Sequence, residues 1–103
     1  MKLRFSEEAC KSLDNTMDFY LFELEIPEYI VDKIVAEQFK KIENLVKNPF
    51  LGQEEPFLSY LGKNHRRIFH MNIKVIYRIE KDVIYVIDFF DSRQNPSKMK
   101  SER

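Results

Sequence analysis

An α+β domain in the order β-α-α-β-β-β, with a helical hairpin packed on one face of a mainly antiparallel sheet, is the fold class this sequence predicts. Three observations carry it. Two long stretches place apolar residues three and four apart, the last third of the chain turns to Ile, Val, Tyr and Phe in runs of strand length, and the prolines and glycines fall between these blocks.

Lys2 to Phe5 alternates polar and apolar residues as a short first strand does, and Ser6 follows with a side-chain oxygen able to cap a helix. Glu7 and Glu8 favour that helix start through its dipole. Ala9, Leu13, Met17, Tyr20 and Leu24 then form one stripe, widened by Phe19 and Phe22, of a helix running to about Glu25. A turn is expected at Ile26-Pro27, because proline opens a helix but does not continue one. From there Val31, Val35, Phe39, Ile42 and Val46 repeat the spacing to about Asn48, and Lys40, Lys41 and Lys47 crowd the end that the helix dipole makes favourable to cations. So tight a link makes the pair an antiparallel hairpin.

Asn48 to Gly62 holds Pro49, Gly52 and Pro56 without periodicity and reads as a loop with a short ordered turn. Arg67 to Met71, Ile73 to Glu80 and Val83 to Phe90 read as three consecutive strands, with Asn72 and Lys81-Asp82 at the turns. A two-residue turn at Lys81-Asp82 sets Ile79 opposite Ile84, Tyr77 opposite Val86 and Val75 opposite Asp88, all facing the helices. Lys74 and Arg78 then stand opposite Phe89 and Tyr85 on an open outer face. The polar tail from about residue 92 is expected to be mobile.

The chain has 103 residues, enough for one domain (1–103) and too few for two cores. Its balance of 44% hydrophobic and 33% charged residues is that of a soluble globular protein. The apolar run around Val83 to Phe90 is far short of the roughly 20 residues of a spanning helix, and no apolar leader follows Met1, so no membrane association and a cytoplasmic location are expected. One cysteine, Cys10, forms neither an internal disulfide nor a cysteine-based zinc site. With only Gly52 and Gly62 there is no phosphate-cradling loop, and the carboxylates lack metal-ligand spacing, so neither cofactor nor metal is expected.

The formal net charge of +0 is unevenly spread. Residues 1–52 hold 7 Lys/Arg against 10 Asp/Glu, a balance of −3, while residues 53–103 hold 10 against 7, a balance of +3. Leu61 to Arg78 carries Lys63, Arg66, Arg67, Lys74 and Arg78 with no carboxylate, an anion-facing surface in which Arg66, Arg67 and Arg78 are the candidate target-binding residues. Their structural alternative is pairing with Glu54, Glu55 or Glu80. Glu23, Glu25, Glu28 and Asp32 form an acidic patch at the hairpin, most simply a solvated face. Tyr77, Tyr85, Phe89 and Phe90 suit cross-strand packing better than base stacking. Asp88, an acid inside an apolar strand, requires a cation or backbone donors, with Arg93 and Arg67 as candidates.

Four stretches in this order give the chain its resemblance to the RelE/ParE toxin superfamily: "IPEYIVDKI" opening the second helix, "LVKNPFLG" closing it, "HRRIFHMNIKVIYRIEKDVIYVIDFF" across the strands, and "DSRQNP" after them. The likeness is closer to the ParE-like members. It implies the toxin of a type II toxin–antitoxin system, held in a hetero-oligomer by a cognate antitoxin that wraps the sheet and helices. One branch resembles ribosome-dependent mRNA endoribonucleases, whose basic cleft corresponds here to Lys74 and Arg93 as catalytic candidates, with Arg67 at its edge. The other resembles ParE, which inhibits DNA gyrase and needs no nuclease site. Cleavage at a 2′-hydroxyl needs a base and an acid as well as positive charge. Cleaving members often carry a Tyr or His near the C-terminus, where this chain has Ser97, Lys98, Met99 and Lys100. His65 and His70, the two imidazoles, both precede that position. The ParE-like reading is therefore the first one, and the endoribonuclease the alternative.

Overall fold

The computed structural model describes residues 1–101. Strand β1 (Lys2–Phe5) leads into helix α1 (Glu7–Asp18), a π-helical turn (Phe19–Glu23) and helix α2 (Glu28–Lys47). Strands β2 (Gln53–Glu54), β3 (Arg66–His70), β4 (Ile73–Glu80) and β5 (Val83–Asp91) follow, with 3-10 turns at Pro56–Leu61 and Pro96–Lys98. The sheet runs β1-β5-β4-β3-β2, with β1 parallel to β5 and the other neighbours antiparallel. This is the helical hairpin and mainly antiparallel sheet that the spacing predicts.

Ser6 caps α1 as its position suggests, its hydroxyl accepting from Ala9 N at 3.0 Å. The first helix does not stay α-helical to Glu25. It widens to the π form at Phe19 and is stopped by Glu25 at φ 52, where Ile26 N donates back to Tyr20 O at 2.9 Å. A left-handed residue followed by such a back-bond is a common way to end a helix, though glycine usually fills that place. Pro27 then opens α2.

The inner face carries the main core. Ala9, Ile42 and Leu45 pack on Val75, Tyr77, Val86 and Phe89, and the rings of Phe5, Phe39 and Phe89 meet at centroid distances of 5.5, 6.3 and 6.5 Å. Tyr20, Val31 and Ile34 form a separate cluster inside the hairpin.

In the sheet, three features differ from expectation. The stretch read as a loop contains β2, which pairs Gln53 with Arg67 and Glu54 with Arg66. Past the Lys81-Asp82 turn the register holds for Ile79 opposite Ile84, Arg78 opposite Tyr85 and Tyr77 opposite Val86, but a bulge between Ile76 and Tyr77 then shifts it by one. Val75 consequently faces Phe89 and Lys74 faces Phe90, because one extra residue on β5 displaces every later pair. Finally, the outer face is not open. Leu58 of the Pro56–Leu61 turn and Met99 of the tail pack there on Ile76, Ile87 and Phe90, with Met99 only 7% exposed.

Candidate functional site

Alternation along β3 and β4 decides where each cation goes, since neighbouring residues of a strand point to opposite faces. Arg67 and Lys74 project to the outer face, and Arg66 to the other side. The three arginines and Lys74 therefore do not form one continuous surface.

On the outer face the organising group is Glu55, whose residue is fully buried. It precedes Pro56, so its Oε2 accepts from Phe57 N at 3.0 Å and starts the 3-10 turn. Its Oε1 accepts from Lys74 Nζ at 2.9 Å and lies 3.6 Å from Arg67 Nε. The Lys74 ammonium also sits 5.2 Å from the centroid of Phe57 and 5.9 Å from that of Phe69, and the Arg67 guanidinium 5.4 Å from Phe69. Arg67 Nη1 donates to Glu54 O as well. A buried carboxylate thus holds both cations, and two rings cover them.

Arg66 closes the chain segment before β2. Its Nε and Nη2 donate to Gly52 O at 3.0 and 2.6 Å, its Nη2 donates to Phe50 O at 3.3 Å, and its guanidinium stacks over Phe50 at 5.3 Å. Tyr77 fixes the same segment from the core: its hydroxyl donates to Pro49 O at 2.8 Å and accepts from Gly52 N at 3.0 Å. A Cβ on Gly52 would stand 2.6 Å from both Arg67 O and that hydroxyl, so only glycine fits. Arg78 bonds Glu80 at 2.7 Å.

Arg93 lies elsewhere, after β5. It grips Asp91 with Nε at 3.0 Å and Nη2 at 2.7 Å, which holds the Asp91 carboxyl below its usual range. The pair lines a cleft of about 1030 Å³ with Tyr20, Asn15 and Thr16, and Lys74 does not reach this cleft. Burial, and then the charge of Asp91, push the Tyr20 hydroxyl above its ordinary pKa. The two cations matched to a nuclease site thus have separate surroundings.

Asp88 is buried as foreseen, and burial pushes its carboxyl up, but its partner is neither Arg93 nor Arg67. Its Oδ2 accepts from Lys100 N at 2.9 Å. Those two arginines are engaged by Asp91 and Glu55 instead. His65 and His70 are both buried, and burial holds each imidazole below the ordinary value. Among the described residues no three His, Cys, Asp or Glu side chains form a metal-binding group, and no helix is long and apolar enough to cross a membrane.

The alternative of arginines paired with Glu54, Glu55 or Glu80 holds for Arg67 with Glu55 and Arg78 with Glu80, while Arg66 pairs with none of them and the capture of Lys74 by Glu55 has no counterpart in the sequence reading. The one local signal for it is the Glu-Glu-Pro before an apolar run, which sets a carboxylate at the start of a turn.

A family model described as the ParE toxin of type II toxin–antitoxin system, parDE, matches residues 3–96. Among solved structures, the chromosomal ParDE TA system from P. aeruginosa superposes with a TM-score of 0.66 at 20% identity, covering 86% of this chain and 92% of that one. That likeness concerns the fold. No curated protein matches.

Proposed function

The chain belongs to the ParE toxin family of type II toxin–antitoxin systems, and on that premise we propose that it arrests growth by binding a macromolecular target, DNA gyrase, and is neutralised by a cognate antitoxin. It acts in the cytoplasm and is stored there as a hetero-oligomer with the antitoxin. The observation that carries a binding mode over RNA cleavage is the buried Glu55 carboxylate 2.9 Å from Lys74 Nζ. A carboxylate there takes the place that a scissile phosphate needs, and it leaves Lys74 without free charge to stabilise a phosphorane. Separation of Lys74 from the Arg93 cleft supports the same reading.

The test uses the purified full-length chain. Inhibition of gyrase supercoiling, with transcripts left uncut on ribosomes after induction in cells, is the expected result. Codon-linked cuts in message with gyrase unaffected would replace this reading by the endoribonuclease.

A further inference from the structure

We propose that the distal end of the helical hairpin is the surface by which the chain engages its protein target, and that the target offers it a groove with an apolar floor and a cationic rim. The assignment rests on the target-binding reading above, and it moves the contact away from Arg66, Arg67 and Arg78.

Phe22 is 73% exposed, Tyr29 72%, Leu24 51% and Phe19 43%, spanning the reversal between α1 and α2 and the first turn of α2. Four large apolar side chains exposed together within residues 19–29 are costly to leave in water and mark a contact site. Among the described residues, no cation or ring engages Phe22 or Tyr29. Of the other exposed rings, Phe50, Phe57 and Phe69 each lie under a cation, while Tyr60, 78% exposed, stands singly on the Pro56–Leu61 turn without the acidic surround of the hairpin.

Preorganisation is visible too. Tyr20, Val31 and Ile34 give the reversal its own small core, and the Ile26 N to Tyr20 O bond locks it, so the rings are presented without ordering a loop. Aromatic residues on a rigid support are the usual anchors of protein interfaces.

Charge selects the occupant. Asp18, Glu23, Glu25, Glu28 and Asp32 are all exposed around the rings, against Lys33 as the single cation within residues 18–33. Such a rim repels a phosphate backbone, which excludes nucleic acid, and it repels the same end of a second copy. A protein surface bearing Lys and Arg around apolar side chains satisfies both the rings and the carboxylates.

Two full-length variants test this, Phe22→Ala with Tyr29→Ala, and Glu23→Lys with Glu28→Lys. Both are expected to keep the wild-type melting temperature and antitoxin binding, to lose growth arrest on induction, and to inhibit purified gyrase about 30-fold more weakly or worse, the loss of a hot spot. Folded variants that still arrest growth at wild-type potency overturn the proposal. Variants that instead lose antitoxin binding, or that change the oligomeric state, overturn it as well by giving the surface to the antitoxin or to a second copy. A wild-type chain that arrests growth without inhibiting gyrase sinks the gyrase reading alone, since the hairpin variants are still scored on growth. A wild-type chain that does not arrest growth overturns both.

Discussion

Around Glu55, Lys74 and Arg67 lie against one carboxylate and under two rings, all within a few ångströms, whereas at the hairpin end five carboxylates and four apolar side chains face solvent with little internal engagement. Both regions are rich in charge and aromatics. They differ in what the charge is bonded to. In the first, each cation already has its partner inside the molecule, so its removal is felt as instability. In the second, Phe19 touches the Tyr20 ring but no ring or cation among the described residues engages Phe22 or Tyr29, so the removal of those two is felt only by a partner. Clustered charge marks function only when the fold leaves it unpaired.

Glu55→Ala should break this comparison most severely if it is wrong. Deleting the carboxylate leaves Lys74 and Arg67 buried without a counter-charge, and the loss of stability to urea should be about 3–5 kcal/mol. Adding Lys74→Met should recover part of that loss, and an unchanged or additive loss would mean the pair is not coupled.

Acidification gives a smaller effect from the sheet side of the molecule. His65 is held neutral first by burial and then by the Arg78 guanidinium, with Lys63 adding to the shift and the Ser101 backbone opposing it. His70 is held neutral by burial and Lys41, against Glu37. Since the unfolded imidazoles protonate near 6.5 and the folded ones lower, the stability is fully present above 6.5 and is lost as the pH falls through that value towards the folded pKa values. Asp88, raised by burial, has the opposite sign: its contribution is fully present below 3.8 and is lost as the pH rises from there through the folded value. Urea midpoints at neutral and mildly acidic pH measure the histidine limb, and replacing His65 by Gln should flatten it.

The smallest effect is expected at the hairpin. Phe22→Ala should change stability by no more than about 0.5 kcal/mol, as an exposed substitution does. A larger drop in melting temperature would show that the ring supports the fold and would erase the contrast with Glu55.

Much of the fold was legible because amphipathic spacing survives in any sequence whose helix has one wet side. Ala9, Leu13, Phe39 and Ile42 were placed on the core face by spacing alone, and they pack there. The outer face was misread as open, although Val83 to Phe90 is apolar on both faces of the strand. Such a run already indicates cover on both sides. The bulge at Ile76/Tyr77 was illegible for the same reason, since with Val86 and Ile87 both apolar a one-residue slip costs no visible mismatch. Strand β2 is two residues long and gives no period. Of the candidate site, the cations were found but their faces were not combined correctly. Adjacency in sequence grouped Arg66 with Arg67, and the pleat sends them apart. Glu55 was in view only as a partner for arginine, because its closeness to Lys74 depends on how a proline-led turn folds over the sheet.

The parallel pairing of Lys2–Phe5 with Val83–Val86 has a consequence for when the chain becomes active. Strand β1 lacks its neighbour until β5 has been made, and the inner core waits with it, a topology of distant contacts that also folds slowly. A half-made chain therefore has no assembled toxin to release.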